Sequence, residues 1–170
     1  MTPLTVIILT KNEAKHIARA IRSVSGLAKR VIIVDSGSTD ATMTIAKSEG
    51  AEVWYHDWTT HAAQFNWALD QLAGVDGWIL RLDADEVVTP ELAAEIAAGL
   101  PDVDGCFIGR GIMFMGQLVR HGGVFPIPTM RLFRNGRGRC EARWMDEHIV
   151  VDGTTAHLHG QIIDLSLIHI

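Results

Sequence analysis

Cysteine is scarce in this chain: two residues, Cys106 and Cys140, in no CxxC spacing. A disulfide framework is excluded, and a reduced, cytoplasmic protein is the simplest expectation. Basic residues are outnumbered too, 15 Lys and Arg against 20 Asp and Glu, which leaves a net charge of −5. Non-specific nucleic-acid binders need a basic face, so no nucleic-acid partner is expected. The N-terminal stretch "MTPLTVIILTKNE" lacks the basic leader and small-residue cleavage site of a secretory signal. Its apolar run also falls far short of the roughly 20 residues of a membrane span. Repeats and low-complexity linkers are missing, and no Ser-His-Asp or catalytic Cys arrangement stands out. Chemistry through an enzyme nucleophile is therefore not indicated.

What remains is a chain long enough for one domain with a real core. Its first half alternates two periodicities. "LTVIILT", "RVIIVD", "AEVWYH" and "GWILRL" read as strands, most of them apolar throughout, as when both faces are covered. Between them, Ile17, Ile21 and Val24 follow helical spacing, "SGSTDATMTIAKSEG" reads as a Gly turn, cap-type Ser and Thr and a short helix stopped at Gly50, and Phe65, Leu69 and Leu72 mark a further helix. Thr89 and Pro90 read as N-cap and first residue of a helix presenting Leu92, Ile96 and Leu100. Such alternation predicts an α/β fold with a mostly parallel central sheet flanked by helices. Ligands of such sheets sit beyond the carboxyl ends of the strands. "TKNE", "DSGSTD" and "DADE", which follow three of the strands, are therefore expected along one edge. The second half predicts extra mixed strands, "CFIGRGIMF", "TMRLFRN", "HIVVDG" and "TAHLHGQIID", as the other wall of a cleft. We divide the single domain into a first half, 1–104, a second half forming the other wall, 105–164, and a tail, 165–170.

Each polar motif has a functional and a plain reading. Asp35 at a strand end can accept a hydrogen bond from a base or ribose, or can serve as a turn residue. Asp83 and Asp85 suit Mg²⁺ or Mn²⁺, which take one or two carboxylates and complete their shell with phosphate and water. An ordinary acidic turn fits as well, and Asp76 and Glu86 read as solvated. Lys11 and Glu13 can meet phosphate, base or hydroxyl, or can be an exposed charge pair at a helix start. Asp146, Glu147 and His148 offer a general base and a metal ligand, or a solvated turn. Arg131 and Arg134 can bind phosphate or alternate along a strand. His157 and His159 share a strand face at metal-ligand spacing, although plain surface or core imidazoles are commoner.

In order along the chain, "VIILTKNEAKHIARAIRSV", "VIIVDSGSTDATMTIAKSEGAEV", "AAQFNWALDQLAGVDGWILRLDADEVVTPEL" and "MRLFRNGRGRCEARWMDEH" resemble family 2 glycosyltransferases of the GT-A fold. The nearest likeness is to the bacterial branch that builds lipopolysaccharide cores and other surface glycans. The resemblance implies inverting transfer of a sugar from a nucleotide diphosphate donor, a UDP-sugar first, to a glycan or lipid-linked acceptor. Such work is done at the inner face of the cytoplasmic membrane, with peripheral membrane contact. It implies donor contacts at Thr10, Lys11, Glu13 and Asp35, with Gln64 and Asn66 facing the same pocket. Asp83 is expected toward the ribose and Asp85 on a divalent cation. Asp146 is the expected base, with Glu147 its rival. Relatives continue with polar and helical segments where this chain has "LSLIHI", so the tail reads as shortened or frame-shifted, or as that of a naturally short homologue. Two other readings stand beside this one. The first is a nucleotidyltransferase making nucleotide sugars, whose glycine-rich signature "TKNEAKHIAR" lacks. The second is a non-catalytic nucleotide-sugar-binding protein.

Overall fold

The computed structural model describes residues 3–114, 117–118, 126–143 and 147–166. Its first half is the expected parallel wind. Strands β1 (Leu4–Thr10), β2 (Arg30–Asp35), β3 (Glu52–Tyr55) and β4 (Trp78–Asp83) pair in parallel in the spatial order β3-β2-β1-β4. The connecting helices are α1 (Ile17–Val24), α2 (Thr42–Ser48) and α3 (His61–Gln71). Side chains alternate across a strand, so β1 feeds two cores. Leu4, Val6 and Ile8 pack with Ile17 and Ile21 of α1 and with Leu92 and Ile96 of α4 (Pro90–Ala98). Ile7 and Leu9 pack on the other face with Phe65, Leu69 and Leu72 from α3 and the turn after it. Phe65 meets Phe133 edge-on at 6.3 Å between centroids, an arrangement the ring quadrupoles favour.

The second half adds β5 (Glu86–Val88), β6 (Gly105–Phe114), β7 (Gln117–Leu118), β8 (Ile127–Arg134), β9 (Gly138–Cys140), β10 (Ile149–Val151) and β11 (Thr155–Asp164). The sheet continues from β4 through β8, β6 and β11 to β5. β4–β8, β8–β6 and β11–β5 are antiparallel, whereas β6–β11 is parallel. The mixed strands of the C-terminal half are thus as expected, and β5 is an addition. It pairs Glu86 with Asp164, so the end of β11 lies directly against the acidic turn.

Two helix boundaries differ from expectation. α2 has no side-chain cap at Ala41; Asp40 instead accepts the Thr42 N–H at 2.9 Å. The Ser and Thr of "DSGSTD" are engaged elsewhere. Leu100 lies past the end of α4, which stops at Gly99 with φ of 124°, a conformation that favours glycine. Thr89 does cap α4, accepting from the Leu92 N–H at 3.2 Å, with Pro90 in the first turn.

Candidate functional site

Register puts the motifs together. Thr10 lies beside Asp35 in the β1–β2 ladder, and Leu9 beside Asp83 in β1–β4. "TKNE" and "DSGSTD" then lock by exchanged hydrogen bonds. Asn12 takes a left-handed conformation, φ 56°, which Asn tolerates better than most residues. Its N–H donates to Ser38 Oγ and its Oδ1 accepts the Thr39 N–H, both at 2.8 Å. The Glu13 N–H donates to Thr42 Oγ1 at 2.8 Å. Beneath them Asp35 is fully buried, accepting from Thr10 Oγ1 and the N–H groups of Gly37 and Ser38 at 2.8–3.1 Å, and from the Ser38 hydroxyl. Its turn-forming reading therefore holds in the structure, whatever else it contacts.

A cavity of about 380 Å³ opens above this base, lined by Leu9, Thr10, Lys11, Glu13, Ser36, Trp58, His61 and Gln64. Burial, and then the charges of Asp85 and Asp40, raise the proton affinity of Glu13 above that of an ordinary carboxylate. Gln64 is buried and exchanges hydrogen bonds with His56 through both ends of its amide. Trp58 and His61, edge to face at 4.6 Å, form a wall that no motif announced. A Trp and a His in "HDWTTHAAQ" carry no spacing signal. Asn66 is not part of this cavity. Its Oδ1 accepts the Cys140 N–H at 2.9 Å and its Nδ2 donates to the Cys140 carbonyl at 2.8 Å. The amide pins α3 to β9, which corrects the expectation that it faces the pocket.

The acidic turn also departs from expectation. Glu86, read as solvated, has no exposed surface. Its Oε1 accepts from Arg110 Nε at 2.8 Å and from Arg131 Nη2 at 3.0 Å, and its Oε2 accepts the Asp83 N–H at 2.9 Å. Arg131 Nη2 reaches Asp83 Oδ2 at 3.2 Å, and Arg110 Nη2 reaches Asp164 Oδ2 at 2.6 Å. Burial alone would raise the proton affinity of Asp83; the Arg131 and Arg81 guanidinium groups reverse this and hold it well below the usual carboxylate range. Asp85 behaves oppositely. Burial, with the charges of Asp164 and Asp83, raises it, and the nearby His16 opposes them only in part. Among the described residues no three His, Cys, Asp or Glu groups converge as a closed metal cage.

A second cavity, about 410 Å³, has Asp83 in its wall. Its walls include Arg81, Asp83, Arg110, Arg131, Glu147 and His148. Glu147 Oε2 is buried without a hydrogen-bond partner among the described residues. Asp146 lies outside the described residues. Arg134 sits at the opposite end of the sheet, opposite Trp78 in the register, paired with Asp102 at 3.0 Å. It is no phosphate ligand of this edge. Arg131 Nη2 is committed to Asp83 and Glu86, whereas its Nη1 is buried without a hydrogen-bond partner among the described residues. His157 stacks on Phe107, whereas His159 bonds Glu95 at 3.1 Å, so the two do not form a pair. None of the network around Glu86 was foreseen. Arg110 and Asp164 are single charges in strand-like segments, and only the sheet order joins them. No described helix is long and apolar enough to cross a membrane.

A model of the family described as "Glycosyl transferase family 2" matches residues 5–137. An uncharacterized glycosyltransferase of Rickettsia felis is 45% identical over 96 residues, covering 56% of this chain and 33% of that protein. The lipopolysaccharide core biosynthesis glycosyltransferase LpsC of Rhizobium meliloti is 30% identical over 164 residues, covering 91% of this chain and 60% of its own. The chain thus spans about a third of the length of the Rickettsia relative. Among solved structures, TarS of S. aureus superposes with a TM-score of 0.55 at 24% identity, over 72% of this chain and 23% of that one. Mannosyl-3-phosphoglycerate synthase from Rubrobacter xylanophilus gives 0.52 at 22% identity, over 64% and 40%. At such identity the likeness is one of architecture, and that architecture is GT-A.

Proposed function

The chain belongs to glycosyl transferase family 2, and on that premise we propose that it moves a sugar from a nucleotide diphosphate donor to an acceptor hydroxyl. A UDP-sugar is the first donor to test. The acceptor is a saccharide or lipid-linked saccharide of the cell envelope, in keeping with the role named for the Rhizobium relative. One observation carries the reading: two cavities open at the same sheet edge, with Leu9 in the first and its register partner Asp83 in the second. The first is assigned to the nucleoside, with Thr10, Lys11, Glu13 and Gln64 as contacts and Asp35 holding their floor. The second is assigned to the transferred sugar and its acceptor.

A divalent cation, Mg²⁺ or Mn²⁺, fits the residues present. Asp85 is half-buried in an excess of negative charge that burial makes unfavourable, and the lack of a closed cage among the described residues suits a cation that shares a diphosphate. Asp85 would hold it, with Asp83 turned toward ribose and sugar. Such a cation, when bound, stabilises the charge developing on the leaving diphosphate. For the chain's own residues the work is positioning and proton transfer. An acid of the Asp146–Glu147 pair, Asp146 first, takes the acceptor proton as its oxygen attacks the anomeric carbon from the face opposite the diphosphate. A single displacement inverts that centre and requires no enzyme nucleophile.

Calorimetry with UDP and Mn²⁺, followed by donor turnover with a glycan acceptor, tests the reading. Binding without turnover favours a non-catalytic nucleotide-sugar-binding protein. Asp85→Ala is expected to lose Mn²⁺-dependent UDP binding; unchanged binding sinks the metal assignment. Asp146→Asn is expected to keep UDP binding and lose turnover. If Glu147→Gln does so instead, the base is Glu147.

A further inference from the structure

Glu86 has no part in the function proposed above, yet it is the most deeply enclosed acid of its turn. A buried carboxylate is costly unless it is paired, and a well-packed apolar set is often as stable as a buried ion network. What such a network does that apolar packing cannot is fix directions of hydrogen bonds. Here the directions converge on one residue. Glu86 Oε2 holds the Asp83 N–H at 2.9 Å, while Arg131, itself gripped by Glu86 Oε1 at 3.0 Å, holds Asp83 Oδ2 at 3.2 Å. Asp83 is thereby fastened through both main chain and side chain by a pair drawn from β5 and β8. Arg110 of β6 steadies the same Oε1 at 2.8 Å and ties it to Asp164 of β11. Asp85 lies in the turn between the two fastened ends, Asp83 and Glu86.

We propose that Glu86 and Arg131 are positioning residues, which pre-set the Asp83–Ala84–Asp85 turn to receive a divalent cation and the diphosphate that it carries. This rests on the reading that Asp83 and Asp85 face a cation and a nucleotide diphosphate. Neither Glu86 nor Arg131 touches the cation; each acts through Asp83. Outer partners of metal-binding groups typically change metal affinity by about 10- to 100-fold when removed.

The test compares wild type, Glu86→Gln and Arg110→Gln. For each, the Mn²⁺ concentration giving half-saturation is measured at saturating UDP, alongside uridine affinity and the melting temperature. Uridine has no phosphate, so it reports on the first cavity alone. Glu86→Gln is expected to raise the Mn²⁺ half-saturation point by about 10-fold or more, with uridine affinity unchanged. Arg110→Gln, at a half-exposed position, is expected to raise it by a smaller factor. If Glu86→Gln melts earlier but takes up Mn²⁺ as wild type does, the pair is only structural and the proposal fails. Should Glu86→Gln not fold, Arg110→Gln decides, and an unchanged Mn²⁺ half-saturation there overturns the proposal. Wild type failing to bind UDP with Mn²⁺ overturns the underlying functional reading itself.

Discussion

Asn66→Ala separates two accounts of one residue: a contact to the donor, as the family resemblance implies, or a clasp between α3 and β9. Its amide accepts the Cys140 N–H at 2.9 Å and donates to the Cys140 carbonyl at 2.8 Å. Cys140 is 4% exposed, so water cannot readily replace either bond. Leaving a buried backbone group unpaired costs about 1–3 kcal/mol, and two such groups put the loss at about 2–6 kcal/mol. A chain of this size shifts about 2–4 °C per kcal/mol, so the midpoint should fall by roughly 4–24 °C. The assay is a thermal melt, with UDP–Mn²⁺ affinity measured well below the transition. The clasp predicts the large drop with nucleotide affinity kept. An unshifted melt with affinity lost would refute the reasoning and return Asn66 to the donor pocket.

Other perturbations test other parts of the molecule. Arg131→Met leaves Glu86 with Arg110 as its remaining guanidinium partner and should cost up to about 3–5 kcal/mol in a urea titration. Adding Glu86→Gln should recover a good part of that loss, and a double variant no more stable than the single one contradicts the pairing. Gly160→Ala would set a Cβ 2.3 Å from Leu92 Cα, pushing α4 off β11 for about 1–3 kcal/mol. An unchanged urea midpoint would contradict that close approach. Because Asp85 has its proton affinity raised on folding, its contribution to stability is complete at acid pH and is lost as pH rises through the raised value. Metal-free Asp85→Asn should therefore melt above wild type at neutral pH, with the gap closing toward the ordinary Asp range. A variant melting below wild type at neutral pH would count against the crowding of charge.

The parallel half was legible in the sequence because its signals are local. β1, β2 and β4 are short apolar runs, and each is followed by a polar turn. From that alone Thr10, Lys11, Glu13, Asp35, Asp83 and Asp85 could be expected at one edge. Asn66 was placed with Gln64 on the family resemblance alone, which does not tell that β9 takes up its amide. Glu86 was misread for a related reason. A charge after a strand is usually solvated, and its compensation comes from Arg110 and Arg131, on strands whose pairing order no local pattern encodes. Trp58 and His61 lie in a connection between β3 and α3, where neither periodicity nor spacing applies.

The wiring of Glu86 also bears on how the protein is made. Its two arginines follow it by 24 and 45 positions, and β11, which lies against β5, is later still. Chains emerge N-terminus first, so β1 to β4 can assemble while those partners are still unmade. At that stage the floor of the first cavity has all its pieces, but Glu86 has no counter-charge and must stay in water. The pairing of Glu86 with Asp164 across β5 and β11 needs β11 to have been made. On the proposed assignment, the residues of the nucleoside cavity are all made before those that hold the cation turn in place.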